Sequence, residues 1–120
     1  LTPDEQADHV QRVKGANERV GAAVGINEDY IYRCESVIEA GTDVLVVDVA
    51  HGHLDRAIDA VDHINDEFPD TNLIAGNVAT PSGVEDLAAA GADCIKVGIG
   101  PGSHCTTRRV AGAGVPQLTA

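Results

Sequence analysis

The chain has no tryptophan, no methionine, one phenylalanine and two tyrosines among 120 residues. A core without large aromatics must be assembled from many small branched side chains, here Ala, Val, Ile and Leu. Helix-on-sheet layers suit that composition better than an aromatic-filled sandwich. Cations are also scarce. Lys14 and Lys96 are the only lysines, and 8 basic against 19 acidic residues leave a formal net charge of −11. Such a surface repels nucleic acid phosphates and anionic membranes, so neither is expected as a partner. The surplus of Asp over Lys points to a saline environment, where screening removes the self-repulsion of a crowded acidic surface. Cys34, Cys94 and Cys105 form no CxxC pair, which argues against a disulfide scaffold or a structural zinc site. The sequence shows no apolar run of membrane-spanning length and no basic-then-apolar leader. A soluble cytoplasmic protein is the expectation.

What is present is an alternation of short apolar runs with longer amphipathic stretches. Val20–Val24, Asp43–Val49, Asn72–Ala75 and Cys94–Val97 read as strands, and their continuous apolar character predicts burial on both faces, as in a parallel sheet. Between them, Glu28–Ala40 places Ile31, Cys34, Val37 and Ile38 on one helical face. Leu54–Phe68 places Leu54, Ile58, Val61, Ile64 and Phe68 at steps of three and four, with Asp55, Asp59, Asp62 and Asp66 on the solvated side. Ser82–Ala90 follows the capping pair Thr80-Pro81. Ala-Gly-Thr-Asp at 40–43 recurs as Ala-Gly-Ala-Asp at 90–93, each with Gly just past a helix end and Asp entering a strand. Residues 1–19 form a polar N-terminal segment with a helix over about Pro3–Lys14, and the remaining residues form one α/β domain. This βαβ order is compatible with an open doubly wound sheet and with part of a closed barrel.

In either case the chemistry belongs at the carboxyl ends of the strands. Three such ends stand out: Ala50-His51-Gly52-His53, Gly76-Asn77-Val78-Ala79-Thr80, and the loop from Gly98 to Arg108. In the last, Gly98, Gly100 and Gly102 allow backbone groups to approach a phosphate or a cation closely, and Ser103 adds a hydroxyl donor. Cys105 follows, beside Thr106, Thr107 and Arg108, a setting in which a thiolate is favoured. The loop has neither the Walker pattern nor a GxGxxG opening a helix.

The string Gly-Ile-Gly-Pro-Gly-Ser-His-Cys-Thr-Thr-Arg at 98–108, followed by Ala-Gly-Ala-Gly-Val-Pro-Gln at 111–117, resembles the catalytic loop of the IMP dehydrogenase/GMP reductase family. Asp-Val-Ala-His-Gly-His at 48–53 and Ala-Gly-Asn-Val-Ala-Thr at 75–80 resemble the two preceding strand ends of the same barrel. Val20–Gly25 resembles the strand that follows a regulatory insertion in many members. The match runs in order from about Val20 to Ala120.

The resemblance implies part of a (β/α)8 TIM barrel with parallel strands, about four βα units, and oxidation of IMP to XMP with NAD. Cys105 is then the nucleophile, with Thr107 at the reacting centre. Ser103 holds the substrate phosphate. Asp48, Asn77 and Gly98 lie by the cofactor, and carbonyls of Gly100, Gly102 and Cys105 ligate a monovalent cation, typically potassium. It also implies a homotetramer.

Ala111, before Gly112, looks like the dehydrogenase, because reductases that act on GMP with NADPH commonly carry Thr there. His104 departs from the small or aliphatic residue usual beside the nucleophile. Cys34 and Cys94 read as core residues, and His51 and His53 as site-lining or surface residues rather than metal ligands. A complete barrel needs about 250 residues. The family's later phosphate loop and its water-activating Arg-Tyr flap have no counterpart before Ala120, so the 120 residues alone are expected to lack turnover.

Overall fold

The computed structural model describes residues 1–101, 105–110, 112 and 114–120. The elements are α1 (Pro3–Gly15), β1 (Gly21–Val24), α2 (Tyr30–Glu39), β2 (Val44–Asp48), α3 (Asp55–Glu67), β3 (Asn72–Val78), α4 (Pro81–Ala89), β4 (Cys94–Val97) and the short α5 (Thr107–Val110). The four strands form one parallel sheet in the order β1-β2-β3-β4. That order separates the two architectures left open by the alternation. A doubly wound sheet reverses direction at a switch point. Here each crossover steps the same way, and right-handed crossovers that never reverse put every helix on one side of the sheet. The chain is therefore α/β, four βα units of a TIM barrel.

The helix boundaries follow from local chemistry. Thr2 caps α1 in a capping box: its side chain accepts from Glu5 N–H, and Glu5 accepts from Thr2 N–H at 2.9 Å. Thr80 accepts from Gly83 N–H, with Pro81 in the first turn of α4. The two Ala-Gly-x-Asp strings build the same device twice. Gly41 (φ 103°) and Gly91 (φ 108°) take left-handed conformations that close α2 and α4. Gly41 and Thr42 N–H donate to Ile38 and Val37 carbonyls, and Gly91 and Ala92 N–H to Ala88 and Leu87 carbonyls. The aspartate after each then accepts from an N–H at or just before a neighbouring strand: Asp43 from Val20 and Asp93 from Leu73, both at 2.8 Å. A helix end is thereby tied to the sheet each time.

The core lies between the helices and one face of the sheet. Val24, Leu45, Val47, Leu73, Ala75 and Val78 meet Cys34, Val37, Val61, Ile64 and Leu87, all almost fully buried. Each buried aliphatic side chain contributes about 1.5–3 kcal/mol. Helix α1 packs on α2 and sends Val10 into this core.

The opposite face differs from the expectation of burial on both sides. Ala23 and Cys94 are exposed, and Val44, Val46 and Ile74 are only half-buried. The reason is geometric: inside a barrel, a strand's inward side chains are covered by those of the strands across the lumen. Cys94, read as a core residue, is exposed in this chain and lies outside the core between helices and sheet. It pairs in register with Ile74 on this inward face. Cys34, in contrast, is fully buried, and burial pushes its thiol up to about 11.

Candidate active site at the carboxyl ends of the strands

Strand β3 runs three residues further than its apolar stretch suggests, so Asn77 sits within the strand rather than in the loop after it. The register shifts between Gly76 and Val78, where the ladder to β4 is irregular. Beyond that irregularity, Asn77 Nδ2 donates to the Gly98 carbonyl at 2.9 Å, and Gly98 N–H donates to the Val78 carbonyl at 2.8 Å. On the other side, Val49 N–H donates to the Gly76 carbonyl and Asn77 N–H to the Val49 carbonyl, both at 2.9 Å. The ends of β2, β3 and β4 are thus sewn together.

Their convergence encloses a cavity of about 360 Å³ lined by Asp48, Ala50, Asn77, Gly98, Gly100 and Cys105, among others. Five of the residues singled out from the sequence meet here: Asp48, Asn77, Gly98, Gly100 and Cys105. Cys105 is half-buried. Asn77 Oδ1 is buried and, among the described residues, has no hydrogen-bond donor. A buried acceptor left unsatisfied costs about 1–3 kcal/mol, so its position beside this cavity suits a ligand that donates to it.

Gly102, Ser103, His104 and Ala111 lie outside the described residues, as do the side chains of Thr107 and Arg108; Thr107 opens α5.

The base of the loop after β4 is shaped by backbone demands. Gly98 (φ 126°) and Gly100 (φ 59°) take conformations that favour glycine. Downstream, Val115 N–H donates to the Ile99 carbonyl at 2.9 Å, and Gln117 Nε2 donates to the Val97 carbonyl at 3.2 Å. Val115 and Gln117 therefore brace the base of the loop.

Sequence reasoning missed Lys96. Its Nζ lies 3.0 Å from Asp48 Oδ1, across the intervening strand. A lone lysine within the apolar run Cys-Ile-Lys-Val was the available signal. His53, read as a site-lining or surface residue, is partly exposed, with its Nε2 2.6 Å from Asp86 Oδ2 on α4. Among the described residues no three His, Cys, Asp or Glu side chains are placed to hold a metal ion. A monovalent cation bound by backbone carbonyls is a different case. Two of its three expected ligands, Gly100 and Cys105, border one cavity, and such a donor set suits a hard, weakly charged ion.

A second cavity, about 420 Å³, lies at the opposite ends of the strands between Val20, Val44, Ile74 and Cys94. It is the apolar inward face of the sheet. In barrels of this type the chemistry belongs to the carboxyl-terminal end, where the polar groups converge.

Fold and cavity together define part of a (β/α)8 barrel with a candidate site built from the ends of several strands. The IMP dehydrogenase / GMP reductase domain matches residues 1–120. Among similar proteins, the inosine-5'-monophosphate dehydrogenase of Nitrosopumilus maritimus is 52% identical over 120 residues, which is 100% of this chain and 25% of that protein. Those of Chlorobaculum parvum and Aquifex aeolicus are 60% and 59% identical over 102 residues, 85% of this chain and 21% of each relative. The chain belongs to the IMP dehydrogenase/GMP reductase family, and spans about a quarter or less of the length of these relatives.

Proposed function

We propose that this chain supplies the nucleophile and the cofactor-facing wall of an NAD-dependent oxidation of IMP to XMP, carried out by the full-length protein. The observation that carries the reading is the convergence of Asp48, Asn77 and Cys105 on one cavity at the carboxyl ends of three adjacent strands. The relatives named as inosine-5'-monophosphate dehydrogenases support the choice of substrate.

The Cys105 thiolate attacks C2 of the hypoxanthine ring, and the hydrogen at C2 leaves with its electron pair. NAD, when bound, supplies the acceptor for that hydride. What remains on Cys105 is a thioimidate, and water at C2 releases XMP and returns the thiol. Covalent capture by a soft nucleophile splits one hard oxidation into a redox step and a hydrolysis.

Ser103 holds the substrate phosphate and Thr107 stands at the reacting carbon. Asp48 is an acceptor-only carboxylate, suited to a ribose diol. The orphaned Oδ1 of Asn77 offers an acceptor to the nicotinamide side, beside Gly98. Carbonyls of Gly100, Gly102 and Cys105 hold a potassium ion that steadies the loop. The protein acts in the cytoplasm as a homo-oligomer. The 120 residues by themselves, with the inward sheet face uncovered, do not turn over.

The test is spectrophotometric. Full-length protein with IMP, NAD and potassium forms NADH. Turnover of GMP with NADPH, and none of IMP with NAD, overturns the reading in favour of the reductase.

A further inference from the structure

The segment 49–54 leaves the site and leads into α3. Its inner half is pinned by backbone. Val49 exchanges hydrogen bonds with β3, and Gly52 N–H donates to the Asn77 carbonyl at 2.6 Å. Gly52 is buried so closely that a Cβ there would stand 2.9 Å from the Gly76 carbonyl carbon and 3.0 Å from the Asn77 carbonyl oxygen.

Its outer half makes no such bond to β3 among the described residues. Leu54 occupies the N-cap of α3; its carbonyl accepts from Ala57 and Ile58 N–H, but it makes no side-chain capping bond and is exposed. His53 supplies the hold instead. An ionised carboxylate only accepts, so His53 Nε2–H donates to Asp86 Oδ2 at 2.6 Å. Asp86 lies on α4, the helix that follows Asn77 in the chain. The link therefore closes a loop from the end of β2, across β3, to α4.

We propose that His53 is a positioning residue. Through Asp86 it anchors the outer end of the segment whose inner end, Val49 and Ala50, lines the cavity on the side proposed for the nicotinamide cofactor. The inference rests on the reaction proposed above, in which the β2 end faces the cofactor and the Cys105 loop faces the nucleotide. His53 touches neither ligand, so its loss should weaken the cofactor side alone.

Two measurements on the full-length protein test this. Amide hydrogen exchange reads the clamp without reference to activity. Gly52 N–H should exchange faster in His53→Ala than in the wild type; unchanged exchange overturns the clamp. Steady-state kinetics read its consequence. In His53→Ala and in Asp86→Ala, KM for NAD should rise about three- to tenfold, as expected when a partly exposed charge-assisted bond is lost. KM for IMP and kcat should stay within about twofold. The double variant should be no worse than either single one, and His53→Gln, which keeps a donor, should recover part of the loss. Additive effects, or equal falls in kcat with both substrates, overturn the positioning role. Faster Gly52 exchange in a protein whose wild type forms no NADH from IMP would refute the reaction and the positioning role assigned to it, while leaving the clamp itself supported.

Discussion

Lys96 and Asp48 are bound to each other across a strand that separates them. Gly76 of β3 pairs in register with Asp48 of β2 on one side and with Lys96 of β4 on the other. Having no side chain, it lets the lysine pass over it to bring Nζ within 3.0 Å of Asp48 Oδ1. Both side chains are 41–48% exposed, so the pair contributes about 0–1 kcal/mol of stability. The contact holds the Asp48 carboxylate, which lines the cavity, beside the lysine.

Replacing Lys96 by methionine should therefore separate stability from function. Unfolding free energy is expected to change by less than about 1 kcal/mol. In NADH formation by the full-length protein, kcat/KM for NAD should fall about tenfold, the effect of roughly 1.4 kcal/mol at the transition state. A large stability loss with unchanged cofactor kinetics would contradict this account.

Gly76 should tolerate no side chain. A Cβ there would lie 2.7 Å from both the Lys96 Cβ and the Lys96 carbonyl oxygen, and the second is backbone that cannot rotate away. Gly76→Ala should destabilise by about 1–3 kcal/mol. Urea unfolding of the full-length protein checks this, and the variant's loss should exceed that of Lys96→Met.

The three thiols should differ in reactivity. Cys34 is buried in the core and its thiol is pushed up to about 11 by burial, so it should resist alkylation at neutral pH. Cys94 lies on the inward face of the sheet and is removed as Cys94→Ser so that it does not contribute. In that background IMP should protect Cys105 from iodoacetamide. Cys105→Ala should lower turnover at least about a thousandfold while nucleotide binding persists. Turnover that survives the substitution would remove the covalent mechanism.

Acid should weaken the fold through Asp43. The Lys14 ammonium at 2.8 Å, followed by the Val20 N–H, holds the Asp43 carboxyl below its ordinary value of 3.8. A depressed folded-state value means that the stabilisation is complete above the unfolded value. It is lost as pH falls through the lowered one. Glu5 is shifted the same way, chiefly by the Thr2 N–H. Tm measured from neutral pH down through that range should fall, and Asp43→Asn should reduce the slope. An identical pH profile in the variant would exclude Asp43 as a source.

Salt gives a further test. With a net charge of −11 and Asp55, Asp59, Asp62 and Asp66 on α3 all exposed or nearly so, self-repulsion should be relieved by screening. The protein should unfold at low salt and refold near molar KCl; salt-independent stability would refute the saline adaptation.

The sequence determined the local elements and the chemical inventory, because those depend on neighbours along the chain. Apolar spacing marks α2 and α3. Thr80-Pro81 starts α4, and the paired Ala-Gly-x-Asp strings end two helices and open two strands. The cysteine loop stands out by glycine spacing and residue type, and its catalytic reading comes from the family resemblance. Tertiary structure decided what depends on registers between distant segments. The one-directional strand order separates a barrel from a doubly wound sheet, and no local periodicity encodes it. The extension of β3 through Asn77 depends on pairing with β4. Cys94 reads as core by hydropathy alone, but it faces the lumen side, since only the strand's register fixes which face a residue occupies. Lys96 reaches Asp48, and His53 reaches Asp86, because strands and helices far apart in the chain lie side by side. Such long-range pairs are chosen by packing, and residue spacing along the chain carries little trace of them.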